Sequence, residues 1–565
     1  MNPGNPSLPN PVRTAMVLLV LAYLLIYLLP LGMRPLAIPD ETRYGEIPRE
    51  MLQTGNWADP HLVGLRYFEK PPLGYWLNAI SLSVFGETNF AIRLPMALST
   101  GLTAWFIWLL LVRLGYAQRI ALGAATVYLG MTEVLVVGTI AVLDSPFTLF
   151  LTGAMVLFYL GAQDQDTRRR RLYLLASGIC FGLAFLAKGF LALVLPGMVL
   201  FVYALLQRRY RLLWTAVLVA LIGVVTILPW AVIVQIREAD FWRYFFWEEH
   251  IRRFLEPNAQ HPEPIYFFVM YLPVMMFPWL TYVPAAIAGL RQAPLAKDLL
   301  RYLLLWCLLP FVFFSISRGK LTTYVLPVFA PAAILMAGGV LAYLQSNKSA
   351  LIRLGALLNS VLLVLVLVFV GYQQYFNQGH ALFASSETLQ LNLMMACLVL
   401  TTVLCVVPIW LRGTGLRIAL ISVTLLPLFL FISTVLPHSS LARRSPMALI
   451  EQVQPKITPD TILVTDANVV HAVAWGLKRT DIALLQKGEL TYGLSYPDAK
   501  GRYLGIEGLR TLLRRQDSGE LKRPIAVFCE SPCEPGLSEL LQQYGAEHFG
   551  DRNFDVWLSP AKPSH

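Results

Sequence analysis

From Ala15 to Leu31 the chain carries no charge, and apolar runs of that kind recur almost to residue 436. About 20 apolar residues suffice to cross a hydrocarbon core as a helix, which satisfies its own backbone polar groups. Of the 565 residues 56% are hydrophobic and only 14% charged, so most of the chain cannot be a soluble globular fold. The pattern predicts an all-α polytopic membrane domain with thirteen spans, near 14–33, 90–112, 119–136, 138–161, 171–187, 189–207, 211–234, 265–289, 300–317, 321–344, 351–373, 389–411 and 416–436. No small-residue cleavage site follows the first run, which therefore reads as a retained helix and not as a signal peptide.

The net charge of +11 suits nucleic acid in principle, but its placement gives another reason for it. Alternate loops carry Arg113 and Arg119, Arg168 to Arg171, Arg208, Arg209 and Arg211, then Arg291, Lys297 and Arg301, Lys348 and Arg353, and Arg412 and Arg417. The acids among them are Asp164, Asp166 and Asp298. The positive-inside rule places these loops and the N-terminus in the cytoplasm and the remaining loops outside, with no role for nucleic acid.

Outside, the first loop concentrates charge that solubility does not require: PDETRYGEIPREMLQTGNWADPHLVGLRYFEKPP, residues 39–72. Pro39-Asp40 followed by ETRYGEIPREM reads as a helix start with Asp40 at or near the N-cap. Helical spacing puts Asp40, Arg43, Tyr44 and Ile47 on one face, leaving Glu46, Arg49 and Glu50 for the solvated side. Taken alone, Asp40 reads equally as a capping acid. Lys70, beside a proline pair at the membrane boundary, suits a lipid-anchored phosphate or simple snorkelling. The apolar run from Leu73 to Phe85 is too short to span and reads as an interfacial helix.

The same face receives Asp144 from AVLDSPF, Lys188 from AKGF, and Arg318, Lys320 and Tyr324 from SRGKLTTY. The 238–264 loop adds the aromatics Phe241, Trp242, Tyr244, Phe245, Phe246 and Trp247, then His250, Arg252 and Arg253. Paired arginines at headgroup depth suit a phosphate, whether of a substrate or of bulk lipid. Basic residues on the face that topology leaves poor in them call for a second cause. Phosphate binding beside Asp40 and Asp144 supplies one. Glu69 and His250 are candidate ligands for a divalent metal such as zinc, without a helix motif to join them; the chemistry requires no other cofactor.

Beyond His438 the pattern alternates. ILVTD (462–466), DIALLQ (481–486) and PIAVFCE (524–530) read as strands, and 446–454, 468–478, 507–515 and 536–544 as helices. This divides the chain into a transmembrane domain, 1–437, and a small soluble α/β domain, 438–565. The second shows neither a phosphate loop nor a nucleophile elbow and receives no chemistry. Its Cys529 and Cys533 form either a small disulfide loop or two thiols, while Cys180, Cys307, Cys397 and Cys405 read as packing residues.

PDETRYGEIPREM, HLVGLRYFEKPP, AVLDSPF, KGFLAL, FWRYFFWEEHIRRF and SRGKLTTYVLP resemble the aminoarabinose transferases that modify lipid A, within the GT-C membrane glycosyltransferases. The resemblance runs from about residue 15 to 345 and weakens beyond. It implies a monomeric glycosyltransferase of the bacterial inner membrane, with undecaprenyl-phosphate-linked 4-amino-4-deoxy-L-arabinose as donor and a lipid A phosphate as acceptor. It places the active site and the C-terminal domain in the periplasm, and implies resistance to polymyxin. On that basis Asp40, Arg43, Tyr44 and Asp144 are the catalytic candidates. Lys70, Lys188, Arg252, Arg253, Lys320 and Tyr324 are candidates for the donor phosphate. The nearest alternative is a GT-C transferase acting on a protein hydroxyl or another glycan. A secondary transporter is a remote third, since the sequence shows no internal repeat and no pair of matching broken helices.

Overall fold

The computed structural model describes residues 10–252, 261–346, 348–377, 381–411 and 413–560. They divide into two compact units. One comprises residues 1–31, 93–235 and 242–436, the other 32–92, 236–241 and 437–565.

The first unit is helical. Among the described residues, nine helices are long and apolar enough to cross a membrane, or eleven if each of two bent pairs counts as one span. The bent pairs are Gln118–Leu129 with Thr132–Gly138, turned by 66°, and Phe267–Met275 with Leu280–Leu290, turned by 94°. Neither break was expected from the sequence, although Gly130 and Pro278 stand at them. The two breaks meet: Thr132 donates both its N–H and its hydroxyl to the Phe277 carbonyl, each at 3.0 Å. Backbone groups released by a break at membrane depth need such partners. Leu191–Leu206 and Thr414–Leu430 coincide with two further expected spans but are shorter apolar helices.

In the second unit, the helix Asp40–Thr54 starts one residue after Pro39. Asp40 is therefore its first helical residue. The closing contacts come from Glu41, whose carboxylate accepts from the Ala37 N–H at 3.0 Å and from Arg34 at 3.0 and 3.1 Å. Two acids in the first turn suit the positive end of the helix. Gly55, left-handed at φ 69°, ends it by donating to the Met51 carbonyl. Gly45 lets this helix lie against Val470–Leu477: a Cβ there would meet Ile92 at 2.9 Å and Trp475 at 3.2 Å. Leu73–Phe85 forms the expected short helix.

The expectation that Glu46, Arg49 and Glu50 face solvent is overturned: all three are buried. Arg49 Nε donates to Glu46 at 2.8 Å, so those two charges enter as a pair. Glu50 serves the hairpin of β1 (His61–Leu62) and β2 (Leu65–Arg66). The turn residues Val63 and Gly64 have φ of 56° and 72°, as a two-residue turn between twisted strands demands. Valine pays for that conformation in steric strain. Glu50 offsets it by accepting from both turn N–H groups, the Gly64 one at 2.8 Å, while Arg502 donates to the Val63 carbonyl at 2.8 Å. Burial, then the neighbouring Glu46, pushes the Glu50 carboxyl well above the usual range. Glu50→Ala is expected to destabilise this unit by about 1–3 kcal/mol for each orphaned N–H. Thermal unfolding of the solubilised protein measures this, and an unshifted midpoint contradicts it.

The C-terminal part of this unit carries a five-stranded mixed sheet in the order β4-β3-β5-β7-β6. β3 (Ile462–Thr465), β4 (Ile482–Leu484) and β5 (Ile525–Glu530) match the expected strands and pair in parallel. β6 (Glu547–Gly550) and β7 (Phe554–Ser559) form an antiparallel hairpin absent from the sequence reading. The core is built from Val464, Leu509, Leu513, Val527, Leu537 and Trp557. Cys529 and Cys533 are joined in a disulfide.

Candidate active site

The helix Asp40–Thr54 brings three of the four catalytic candidates together. Asp40 stays 52% exposed on its side chain, whereas Arg43 and Tyr44 are buried. Arg43 reaches Asp40 at 3.6 Å from one turn further along. Its guanidinium also lies 3.2 Å from Glu489 and donates to the Tyr67 hydroxyl at 3.1 Å. Tyr67 in turn donates to Glu489 at 3.2 Å. His471 completes the network, with Nε2 3.2 Å from Glu489 and Nδ1 3.4 Å from the Thr42 hydroxyl. Tyr44 packs its ring 5.7 Å from that of Tyr75, and its carbonyl accepts from Asn78 at 2.9 Å.

The electrostatics follow from burial. Burial works to raise the Glu489 carboxyl, but Arg43, His471 and Tyr67 outweigh it and bring it down to about 2. Burial also works against the Arg43 charge, and Tyr67, Glu489, Tyr44 and Asp40 together overcome it, holding the guanidinium protonated. Burial pushes the Tyr67 phenol well up, so it remains a neutral relay between the two. Arg43 is thus clamped between Glu489 and Tyr67 and presents positive charge to Asp40.

The loop that follows is fixed as firmly. Arg66 donates to Glu238 at 2.8 Å, pairs with Asp498, and lies 4.2 Å from the Tyr496 ring centroid. Phe68 packs against Phe241 and Tyr492. This sets the backbone from which Glu69, buried, and Lys70, half-buried, project. Lys70 donates to the Glu69 carbonyl at 3.2 Å.

In the first unit, Asp144 opens the helix Asp144–Gln163 and Lys188 closes the helix Thr167–Lys188. An acid at a helix start and a base at a helix end both sit favourably in the backbone field. Their side chains meet at 2.5 Å, with the ammonium 4.7 Å from the Tyr324 ring centroid. Lys320 is buried and donates to the Glu263 carbonyl at 2.6 Å. It thereby fastens the chain around residues 261–263 to that around 318–320, which also bridge at Pro262 and Gly319. The side chains of His250 and Arg252, and all of Arg253, lie outside the described residues, and with them the Glu69/His250 metal candidate.

Residues 12–245 match the family described as dolichyl-phosphate-mannose-protein mannosyltransferase, and residues 441–530 match the C-terminal domain of arabinosyl transferase ArnT. The undecaprenyl phosphate-alpha-4-amino-4-deoxy-L-arabinose arabinosyl transferase of Aeromonas hydrophila is 40% identical over 493 residues, covering 86% of this chain and 89% of the relative. The chain belongs to this family of arabinosyl transferases. The family member of Shewanella sediminis is 38% identical over 510 residues, covering 88% of this chain and 91% of its own. The crystal structure of ArnT from Cupriavidus metallidurans bound to undecaprenyl phosphate shares the fold, with a TM-score of 0.83 over 98% of this chain and 100% of that one at 24% identity.

In this arabinosyl transferase the sequence reading missed Tyr67, His471 and Glu489. Tyr67 was visible inside the LRYFEKP motif. Glu489 and His471 lie in the domain to which no chemistry was given, and no local spacing links them to residues 40–43. Their signal exists only in the folded second unit.

Proposed function

We propose that the chain transfers 4-amino-4-deoxy-L-arabinose from undecaprenyl phosphate to a phosphate of lipid A, as a single chain, on the periplasmic face of a bacterial inner membrane. The observation that carries this reading is the 40% identity over 86% of the chain to a relative named for that donor and sugar. The product masks an anionic phosphate and gains an amine, which weakens the binding of polymyxin and other cationic peptides.

The acceptor phosphate is already a nucleophile at neutral pH and needs no general base. One of its oxygens attacks the anomeric carbon, the bond from that carbon to the undecaprenyl phosphate oxygen breaks, and undecaprenyl phosphate leaves with the electron pair. Direct displacement inverts the centre. Asp40 orients the sugar and stabilises positive charge at the anomeric carbon, with Arg43 and Tyr44 positioning it. Lys70, Arg252 and Arg253 stabilise the leaving phosphate. Lys188 and Tyr324 support Asp144, and Lys320 holds its loop.

Parity and charge support a thirteen-span path through the membrane. Residues 32–92, 236–241 and 437–565 belong to one unit, so they share a side of the membrane and an even number of crossings separates each from the next. The nine long helices alone satisfy this, and so do thirteen spans; the eleven reached by adding only the two bent pairs do not. A nine-span path puts Arg168 to Arg171 on the side of Asp40, against the positive-inside rule. Thirteen spans, with each bent pair and each short apolar helix crossing once, put them in the cytoplasm and leave the C-terminal domain, 438–565, in the periplasm.

Purified protein incubated with the lipid-linked sugar and lipid A is expected to yield lipid A heavier by one aminopentose, read by mass spectrometry. An unchanged spectrum with both substrates present overturns the reading. Pre-treatment with a chelator is expected to leave the rate unchanged, because charged side chains alone fill these roles. A loss restored by zinc would instead install the Glu69/His250 metal in the reaction.

A further inference from the structure

Asp555 and His548 have no part in the network around Asp40. The sheet register sets them beside the disulfide instead. Cys529 on β5 stands directly opposite Asp555 on β7, and Asp555 stands opposite Gly550 on β6. Cross-strand partners share a face, as do residues two apart, which adds His548 to the same face. The side chains meet there. His548 Nε2 lies 2.7 Å from Asp555 Oδ1, and its ring packs 4.3 Å from that of Trp557. Asp555 Oδ2 faces Cys533 Sγ at 3.6 Å, a sulfur that donates nothing while it is in a disulfide. One ligand atom from each of Cys529, Cys533 and Asp555 falls within 4.8 Å of the others.

Gly550 keeps the space between the histidine and the acid open. A Cβ there would meet Asp555 Oδ1 at 2.5 Å and His548 Nε2 at 2.9 Å. Zinc binds cysteine sulfur at about 2.3 Å and histidine nitrogen or carboxylate oxygen at about 2.0–2.2 Å, so neighbouring ligands of a tetrahedral site stand about 3.3–3.8 Å apart. The sulfur–carboxylate distance already fits, and the His548–Asp555 hydrogen bond has to open by less than about 1 Å. The spacing of the two cysteines in CESPC is also that of a zinc ligand pair. The β6–β7 hairpin, absent from the sequence reading, supplies the second pair. The His548 side chain is 46% exposed, which gives the metal a path from solvent.

We propose that Cys529, Cys533, His548 and Asp555 form a zinc site in the reduced chain, so that disulfide and metal are alternative closures of one loop. A dithiol reduces the disulfide: the Sγ–Sγ bond takes up two electrons and two protons, and the dithiol becomes a disulfide. Zinc then displaces the two thiol protons to solvent and binds both thiolates, His548 Nε2 and one Asp555 oxygen, with the imidazole proton carried on Nδ1. The metal ties the 529–533 loop to the β6–β7 hairpin, a link that the disulfide does not make.

The experiment uses the full-length purified chain, either oxidised or reduced with a phosphine, since a dithiol would itself bind the metal. Each form is incubated with zinc, freed of unbound metal and counted by elemental mass spectrometry. The reduced form is expected to hold one zinc more than the oxidised form, a difference that cancels any metal at Glu69 and His250. Cobalt in place of zinc is expected to show a thiolate charge-transfer band in the reduced form alone. Asp555→Asn and His548→Gln are expected to weaken the added zinc by more than about 10-fold, the least that loss of a supporting contact costs, read by competition with a chromogenic chelator. Their oxidised forms are expected to unfold as oxidised wild type does, which separates lost ligation from a lost fold. Equal zinc in the two forms of wild type overturns the proposal, as does a missing cobalt band. So does a gain that both variants keep undiminished, which marks thiols elsewhere or adventitious metal.

Discussion

Asp40→Asn is expected to lower sugar transfer to lipid A by about 10²- to 10³-fold, the range seen when one electrostatic contact to a developing charge is removed. The expectation rests on a contrast within one helical turn. Glu41 is buried and committed to Arg34 and the Ala37 N–H, whereas Asp40 keeps 52% of its side chain exposed. Asparagine preserves shape and hydrogen bonding but not charge, so the fold and the Arg43 clamp should survive. The readout is the mass spectrum of lipid A at matched protein levels. Full modification by the variant would remove Asp40 from the reaction.

The second large effect concerns Glu489. Glu489→Ala leaves Arg43 buried beside an empty place, and breaking a buried pair from one side costs about 3–5 kcal/mol. Unfolding of the whole chain should therefore begin at markedly lower temperature or denaturant. Transfer should fall too, because Arg43 no longer has a fixed position from which to hold Asp40. A pH signature accompanies this. The folded carboxyl titrates near 2, below its unfolded value of about 4.3. Its stabilisation is thus complete above the unfolded value and is lost as pH falls from there towards 2. Wild type should lose stability across that window, and Glu489→Gln should lose less. If Glu489→Ala unfolds like wild type and keeps full activity, the clamp has no such role.

What the sequence made legible follows the range of the interactions involved. Apolar runs report membrane helices because the bilayer acts on each segment separately, and the strands from ILVTD and PIAVFCE were plain for the same local reason. DETRY was readable as a helix start because its spacing lies within one turn. The solvated side assigned to Glu46, Arg49 and Glu50 failed because amphipathic spacing assumes water on the polar face. Here that face meets Arg502 and the Val63–Gly64 turn, contacts more than a dozen residues away or at the far end of the chain. The breaks at Gly130 and Pro278 were hidden because a bent helix has nearly the same composition as a straight one. The β6–β7 hairpin escaped because EHFG is a short, polar edge strand without an apolar alternation to show it.

The unit that holds Asp40 is assembled from both ends of the chain. Residues 32–92 emerge early in synthesis, while His471, Glu489 and Arg502 emerge only after the last span has been made. Because chains fold broadly in the order they are made, the Asp40 helix waits through nearly the whole of membrane insertion for the groups that lock it. A protein cut short anywhere before residue 489 would leave Arg43 without Glu489 and the Asp40 helix without that brace. The brace on the Asp40 helix is thus among the last contacts the chain can make.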